Sequence, residues 1–282
     1  MLLIIQGAEI DTGDLKTLAK LAGASAIEQI SATAFRLRDA GGGQAAQATA
    51  EITQRCERAK LDFAFVPESR RLADFKLLVM DMDSTLITIE TIDELADLVG
   101  LKPQVAKITE QAMRGEIEYN ESLQRRVGLL KGLDESALKR VYDERLKLSP
   151  GAEVLLAAAK QHGIKTLLVS GGFTHVTELL KPRLGLDYTY SNTLGVANGK
   201  LTGDIIGRIV NADAKRDELL RVSSLLGIQR EQIIGMGDGA NDLKFMAECG
   251  VSVAYHAKPI VRGQTTHAVN FGGLDAVVNF FN

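Results

Sequence analysis

No long run of lysine or arginine occurs in this chain. A nucleic-acid-binding role is therefore not expected, because phosphate neutralisation needs a clustered basic footprint. The net charge of -3 and pI of about 5.9 point the same way. No apolar stretch approaches the ~20 residues that cross a hydrocarbon layer, so no membrane segment is expected. The opening MLLIIQGAEIDTG has too short an apolar run, and no basic leader, for a signal peptide. Cysteine is scarce: Cys56 and Cys249 form no CxxC pair and no zinc spacing, which predicts a reduced, cytoplasmic setting. Internal repeats and low-complexity tracts are missing, apart from a short turn at Gly41-Gly42-Gly43. What remains is an ordinary globular composition, 45% hydrophobic and 24% charged over 282 residues. That length fits one large domain or two ordinary ones with a sizeable core.

Hydrophobic periodicity divides the chain. Strands are predicted at Leu2–Gln6, Ser31–Leu37 and Asp62–Val66, with helices over DTGDLKTLAKLAG and GGGQAAQATAEITQRCERAK between them. This gives a small α+β unit over residues 1–72 that ends in a Pro67–Arg71 linker. Buried-type strands follow at Phe75–Met80, Ile164–Val169, Gln232–Met236 and Val251–Ala254. Between the first two lies a long helical stretch, Thr91–Lys147, and then a helix opened by Pro150. Asn198-Gly199 marks a hairpin turn. Apolar strands alternating with helices predict an α/β fold whose parallel sheet is covered on both faces.

Three of these strands run into polar clusters: Asp81-Met82-Asp83-Ser84-Thr85, Ser170-Gly171-Gly172, and Gly237-Asp238-Gly239-Ala240-Asn241-Asp242. Ligands bind at the carboxyl ends of strands in open parallel sheets, so Asp81, Asp83, Ser170, Asp238 and Asp242 are expected to share one crevice. Carboxylates gathered there repel one another unless a hard cation joins them, and an oxygen-only ligand set selects Mg²⁺. Ser170 and its glycines, with Lys215 at a helix start, offer a phosphate cradle. Once cations offset the repulsion, a carboxylate can attack phosphorus and form an aspartyl phosphate. A second carboxyl group, here Asp83, then protonates the leaving alkoxide and activates water. On a flat strand Asp81 and Asp83 would face the same way; here the strand is ending, and the turn at Ser84-Thr85 decides whether both meet one substrate. The four histidines, His162, His175, His256 and His267, are scattered and read as surface or satisfied core.

These four segments resemble, in order, the motifs of the haloacid dehalogenase-like superfamily: DxDx[TV] at Asp81–Thr85, then Ser170, Lys215 and Gly237–Asp242. Within it, about Phe75 to Ala276 is similar to phosphoserine phosphatases through DMDSTL, ETIDELA, SLQRRVGLLKG, VSGGF, LTGD, NADAK, GDGANDL and AYHAKP. The resemblance implies a Rossmann-like catalytic domain over 73–282 with a helical cap inserted at about 88–148. It implies Mg²⁺-dependent hydrolysis of O-phospho-L-serine, the last step of serine biosynthesis. Asp81 would be the nucleophile and Asp83 the general acid/base. Mg²⁺ would be held by Asp81, the backbone carbonyl of Asp83, and Asp238, with Asp242 behind. Ser170, Gly171, Lys215 and Asn241 would bind phosphate.

In the cap, Glu90 would take the substrate ammonium and Arg126 its carboxylate, a natural guanidinium partner. Both also fit solvated helix charges, and Arg125 is a neighbouring decoy about 100° around the helix. Met113 and Tyr119 resemble cap residues that close over substrate, and equally fit cap packing. The first unit resembles an ACT-like domain that lacks one strand; amino-acid binding, homodimerisation and simple packing all fit it. Competing readings are a dinucleotide site at Gly235, Gly237 and Ala240, opposed by Asp238 and Asp242, and a phosphatase or phosphotransferase for another ester such as phosphohomoserine. A P-type ATPase would carry Thr in place of Asp83 and need membrane helices, and a dead-site sensor would have lost Asp81 or Asp83.

Overall fold

The computed structural model describes residues 1–41 and 46–282, so the expected Gly41-Gly42-Gly43 turn lies, past Gly41, outside the described residues. The chain opens with β1 (Leu2–Gln6), α1 (Thr12–Ala22), β2 (Ala26–Ser31), β3 (Ala34–Arg38), α2 (Ala46–Ala59) and β4 (Asp62–Val66). These form an antiparallel sheet in the order β2-β3-β1-β4. The unit is thus a full βαββαβ, and the expectation that it lacks a strand is corrected. The extra strand is β2, an edge strand exposed along most of its length, so burial gave it no alternating pattern to read. β1 is buried at every position. Leu3 and Ile5 face a core with α1 and α2, while Leu2 and Ile4 join a cluster with Leu274, Val277 and Phe280 near the carboxyl terminus. A strand covered on both sides accounts for its unbroken apolar run.

The rest of the chain continues with β5 (Leu77–Met80), α3 (Thr91–Asp97), α4 (Lys102–Met113), α5 (Tyr119–Gly128), α6 (Ser136–Glu144), α7 (Ala152–Gln161), β6 (Lys165–Phe173) and α8 (Thr174–Leu184). Then come β7 (Tyr188–Ala197), β8 (Lys200–Ile206), α9 (Ala212–Leu226), β9 (Ile233–Gly237), α10 (Leu243–Met246), β10 (Val251–Tyr255), α11 (Pro259–Arg262) and β11 (His267–Val269). The sheet order is β11-β10-β9-β5-β6-β7-β8. All neighbours are parallel except β8, which folds back on β7 through Asn198 and Gly199, both at positive φ. Along β5, Leu78 and Met80 pack toward α7 and α8, and Leu77 and Val79 toward α9 and α10. That double covering is the doubly wound α/β arrangement.

Helices α3 to α6 gather around their own core of Leu95, Val105, Leu123, Val127, Leu138 and Val141. The chain enters and leaves this cap through a short antiparallel pairing of Ile87 with Leu148. Thr88 N–H donates to Lys147 O at 3.0 Å, and Ser149 N–H to Leu86 O at 3.0 Å. The helical body is also tied to the β7–β8 hairpin, where Gly132 N–H donates to Leu201 O at 2.8 Å, Leu201 N–H to Leu133 O at 2.8 Å and Glu135 N–H to Gly199 O at 2.9 Å. Among the described residues no helix is long and apolar enough to cross a membrane.

Candidate active site

From β5 the chain proceeds to β6 and β7 on one side and returns through β9 on the other. Met80 is in register with Leu168 and with Met236, so three strand ends lie level. Asp81, Ser170 and Asp238 therefore emerge at one edge, the crevice that such a reversal of strand order creates. After Asp81 the backbone makes one wide turn, closed by Ile87 N–H donating to Met82 O at 2.9 Å. Asp83 stays extended at φ -64° and ψ 136°, while Ser84 is left-handed at φ 56°. A serine rarely adopts that conformation, and it persists where surrounding contacts over-determine it. The turn puts Asp83 on the same cavity as Asp81. There Asp83 accepts a 2.6 Å bond from Thr91 Oγ1, and Ser84 Oγ donates to Glu90 at 2.5 Å. Burial and the nearby Glu90 and Asp81 charges push the Asp83 carboxyl well above the usual range.

Lys215 sits in the first turn of α9, where Asn211 caps the helix by accepting from Ala214 N–H at 3.0 Å. Its ammonium is wholly buried, 2.9 Å from Asp81 Oδ2 and 2.7 Å from Asp242 Oδ1. Burial alone would lower its pKa; the carboxylates of Asp242 and Asp81 outweigh that and raise it. Oxygens of Asp81, Asp238 and Asp242 lie within 4.8 Å of one another. Three carboxylates against one ammonium leave an excess of two negative charges when all are ionised. The strain shows in Asp238, which burial and the charge of Asp81 push up to about 6, and in Asp242, raised for the same reasons. This donor set, oxygen throughout with no His or Cys, fits a hard divalent cation. Asp242 is already engaged, by Lys215 through Oδ1 and by Gly239 N–H at 3.1 Å through Oδ2. Asp238 accepts from Thr85 Oγ1 at 3.2 Å.

Ser170 and Gly171, in the irregular last part of β6, face the same cavity, of about 690 Å³, together with Glu90, Arg126 and Asn241. A side chain at Gly171 would collide with the Tyr119 hydroxyl, and one at Gly172 would meet the Met82 methyl at 2.6 Å. Both glycines are therefore close-approach positions. Arg126 donates to Ser122 O at 3.4 Å and has no carboxylate partner among the described residues, whereas Arg125 is exposed and paired with Glu121 at 2.6 Å. Glu90 opens onto the cavity, where desolvation by the crevice walls pushes its carboxyl up to about 7, with Asp238 and Asp81 adding to the rise. Met113 is 64% exposed at the rim.

The haloacid dehalogenase-like hydrolase family matches residues 75–250. The chain is a haloacid dehalogenase-like hydrolase. A family described as a domain of unknown function matches residues 3–48 of the same hydrolase. A phosphoserine phosphatase of Albidiferax ferrireducens is 53% identical over 216 residues, covering 75% of this chain and 91% of its own. One from Archaeoglobus fulgidus is 41% identical over 245 residues, covering 86% and 71%. Among solved structures, a HAD-family hydrolase from Salmonella enterica serovar Typhi superposes with a TM-score of 0.90 at 33% identity, over 99% of this chain and 98% of that one. A substrate-bound phosphoserine phosphatase gives 0.69 at 36% identity, over 74% of this chain and 99% of its own.

The hydrolase also places at the site residues that sequence reasoning did not single out. Asn192 is buried, donates to Gly171 O at 2.8 Å and accepts from Val210 N–H at 2.8 Å, so it holds the Ser170-Gly171 bend against the loop before α9. His256 and Lys258 are exposed on the cavity wall, so His256 holds the surface position expected of it while also facing the crevice. The AYHAKP string was the available signal, but it names no contact.

Proposed function

We propose that this hydrolase releases phosphate from O-phospho-L-serine. The observation that carries the reading is the guanidinium of Arg126, without a carboxylate partner among the described residues, on the same cavity as Glu90, Asp81, Asp83 and Ser170. A substrate with carboxylate, ammonium and phosphate matches those three stations. Ser170, the Gly171 backbone, Asn241 and Lys215 hold the phosphate. Asp81 attacks phosphorus while the bond to the serine oxygen breaks, and the carboxyl proton of Asp83 goes to the departing alkoxide. Its raised pKa supports a protonated start. In the second half Asp83, now a carboxylate, takes a proton from water as that water attacks phosphorus, and Asp81 is freed as inorganic phosphate leaves. Asp81, Asp238 and the Asp83 carbonyl would hold Mg²⁺, which supplies the positive charge that offsets repulsion between carboxylate and phosphate. Free buried thiols at Cys56 and Cys249 support a reduced, cytoplasmic setting, where serine synthesis would end on this step.

Phosphate release from a panel of small phosphomonoesters, with and without Mg²⁺, tests this. Phosphoserine is expected to exceed phosphoethanolamine and p-nitrophenyl phosphate. Preference for phosphohomoserine, or equal rates across the panel, would contradict the substrate assignment.

A further inference from the structure

One wall of the crevice is built by residues 256–262, which contribute His256, Lys258, Ile260 and Val261 to the cavity. This strap leaves the sheet abruptly: His256 has φ 47°, a left-handed conformation in a non-glycine residue. Both of its ends are tied to a single loop, residues 270–272. At one end His256 Nε2 bonds Gly272 O at 2.8 Å; a carbonyl only accepts, so Nε2 carries the proton. At the other end Arg262 Nη1 donates to Asn270 Oδ1 at 3.2 Å. The 270–272 loop is in turn held from outside the catalytic body. Asp62, the first residue of β4 and 1% exposed, accepts the N–H groups of Asn270 at 2.6 Å, Phe271 at 3.1 Å and Gly272 at 2.8 Å. Three donors on one buried carboxylate are directional, charge-assisted bonds that fix a loop rather than merely cover it.

We propose that Asp62 is a positioning residue for the active site: through the 270–272 loop, the N-terminal unit sets the conformation of the strap that forms one substrate-facing wall. The proposal rests on the crevice being the phosphatase site. It makes the N-terminal βαββαβ unit part of the enzyme's substrate-binding apparatus. Deleting the unit would also uncover the Leu2 and Ile4 contact, so a point substitution isolates the effect better than truncation.

The test is Asp62→Asn in the full chain. An amide offers one acceptor oxygen and turns its own N–H groups toward the backbone donors, so the loop loses at least one bond. Amides of 257–262 are expected to exchange with solvent about tenfold faster than the loss of global stability alone requires, while those of α1 and β9 speed up by no more than that loss. KM for phosphoserine is expected to rise about fivefold or more with kcat within about twofold, since the strap orients substrate without touching the reacting carboxylates. A merely structural staple would lower kcat through loss of active enzyme and leave KM alone. Unchanged exchange in 257–262, or faster exchange with unchanged KM, would overturn the proposal. If Asp62→Asn does not fold, Arg262→Gln cuts the same tether from the catalytic side; it must raise both exchange and KM, and failure to do so overturns it. If wild-type protein releases no phosphate from phosphoserine, the substrate reading fails, and the exchange arm still decides whether Asp62 holds the strap.

Discussion

At the crevice, Lys215 is the cation set against Asp81 and Asp242, with Asp238 close by, so negative charge is left over. At the junction between the N-terminal unit and the catalytic body, one carboxylate, Asp62, meets three backbone N–H groups and has nothing left to satisfy. Both places bury acid groups. The first leaves them in mutual repulsion, which raises the pKa of Asp238 and Asp242, and a cation and a phosphate can relieve it. The second is complete in the protein alone. Stored repulsion therefore lies at the crevice where the proposed chemistry would act, and satisfied bonding lies where the N-terminal unit is held to the catalytic body.

The sharpest way to test that contrast is to neutralise one acid in each region. Asp81→Asn should cut turnover by on the order of 10⁴-fold, because the amide keeps the shape and loses the attacking charge. The melting temperature of the metal-free protein should not fall, since one of the repelling charges has gone. Appreciable residual phosphate release would break the covalent mechanism. Arg126→Ala comes next. It should lower kcat/KM for phosphoserine by roughly thirtyfold to several-thousandfold, a loss of ~2–5 kcal/mol for a charge-assisted contact in a closed site. p-Nitrophenyl phosphate should be affected far less, and Arg125→Ala, which breaks an exposed pair, should stay within about threefold for every substrate. Equal losses across substrates would remove the carboxylate assignment.

At the junction a loss of stability is expected beside the rise in KM. Asp62→Asn should cost about 1–3 kcal/mol, read as a lower denaturation midpoint, the opposite of the outcome at Asp81. A stable Asp62→Asn would erase the difference between the two regions. His267 lies at the same junction, stacked on Phe280 and 3.1 Å from Arg70 Nη1. Burial, with Arg70 adding to it, pushes its pKa down from 6.5 to about 4. The unfolded chain protonates this histidine first, so stability should be unaffected above about pH 6.5, fall as pH drops toward 4, and level off below. The full span is worth at most ~3 kcal/mol. Denaturation curves of wild type and His267→Gln across this range should converge in slope above pH 6.5 and diverge below it; parallel curves throughout would contradict the assignment.

The catalytic motifs were legible because each is a short string at a strand end, and the alternation of strands and helices predicts which ends converge. The geometry that makes Asp83 useful was not, since it depends on the left-handed turn at Ser84, a residue with no compositional signal for it. β2 escaped because an exposed edge strand has no buried face to pattern its side chains. Asn192 and Asp62 act on backbone groups far away in sequence, at Gly171 and at Asn270 to Gly272, and no local pattern announces such contacts. Arg126 and Arg125 were separable in principle by helical angle, and the structure separates them by exposure and by the Glu121 pair. The N-terminal unit was legible as α+β, but not as a sheet whose helix-free face is already occupied by the catalytic body.

The central claim is that Asp81 becomes covalently phosphorylated by phosphoserine. Acid quenching during turnover of radiolabelled phosphoserine, followed by proteolysis, tests it directly. The account predicts label on the peptide containing Asp81, lost on treatment with hydroxylamine, as an acyl phosphate requires, and no label in Asp81→Asn. Rapid phosphate release with no protein-bound label at any quench time, or hydroxylamine-stable label on the peptide containing Ser170, would contradict it.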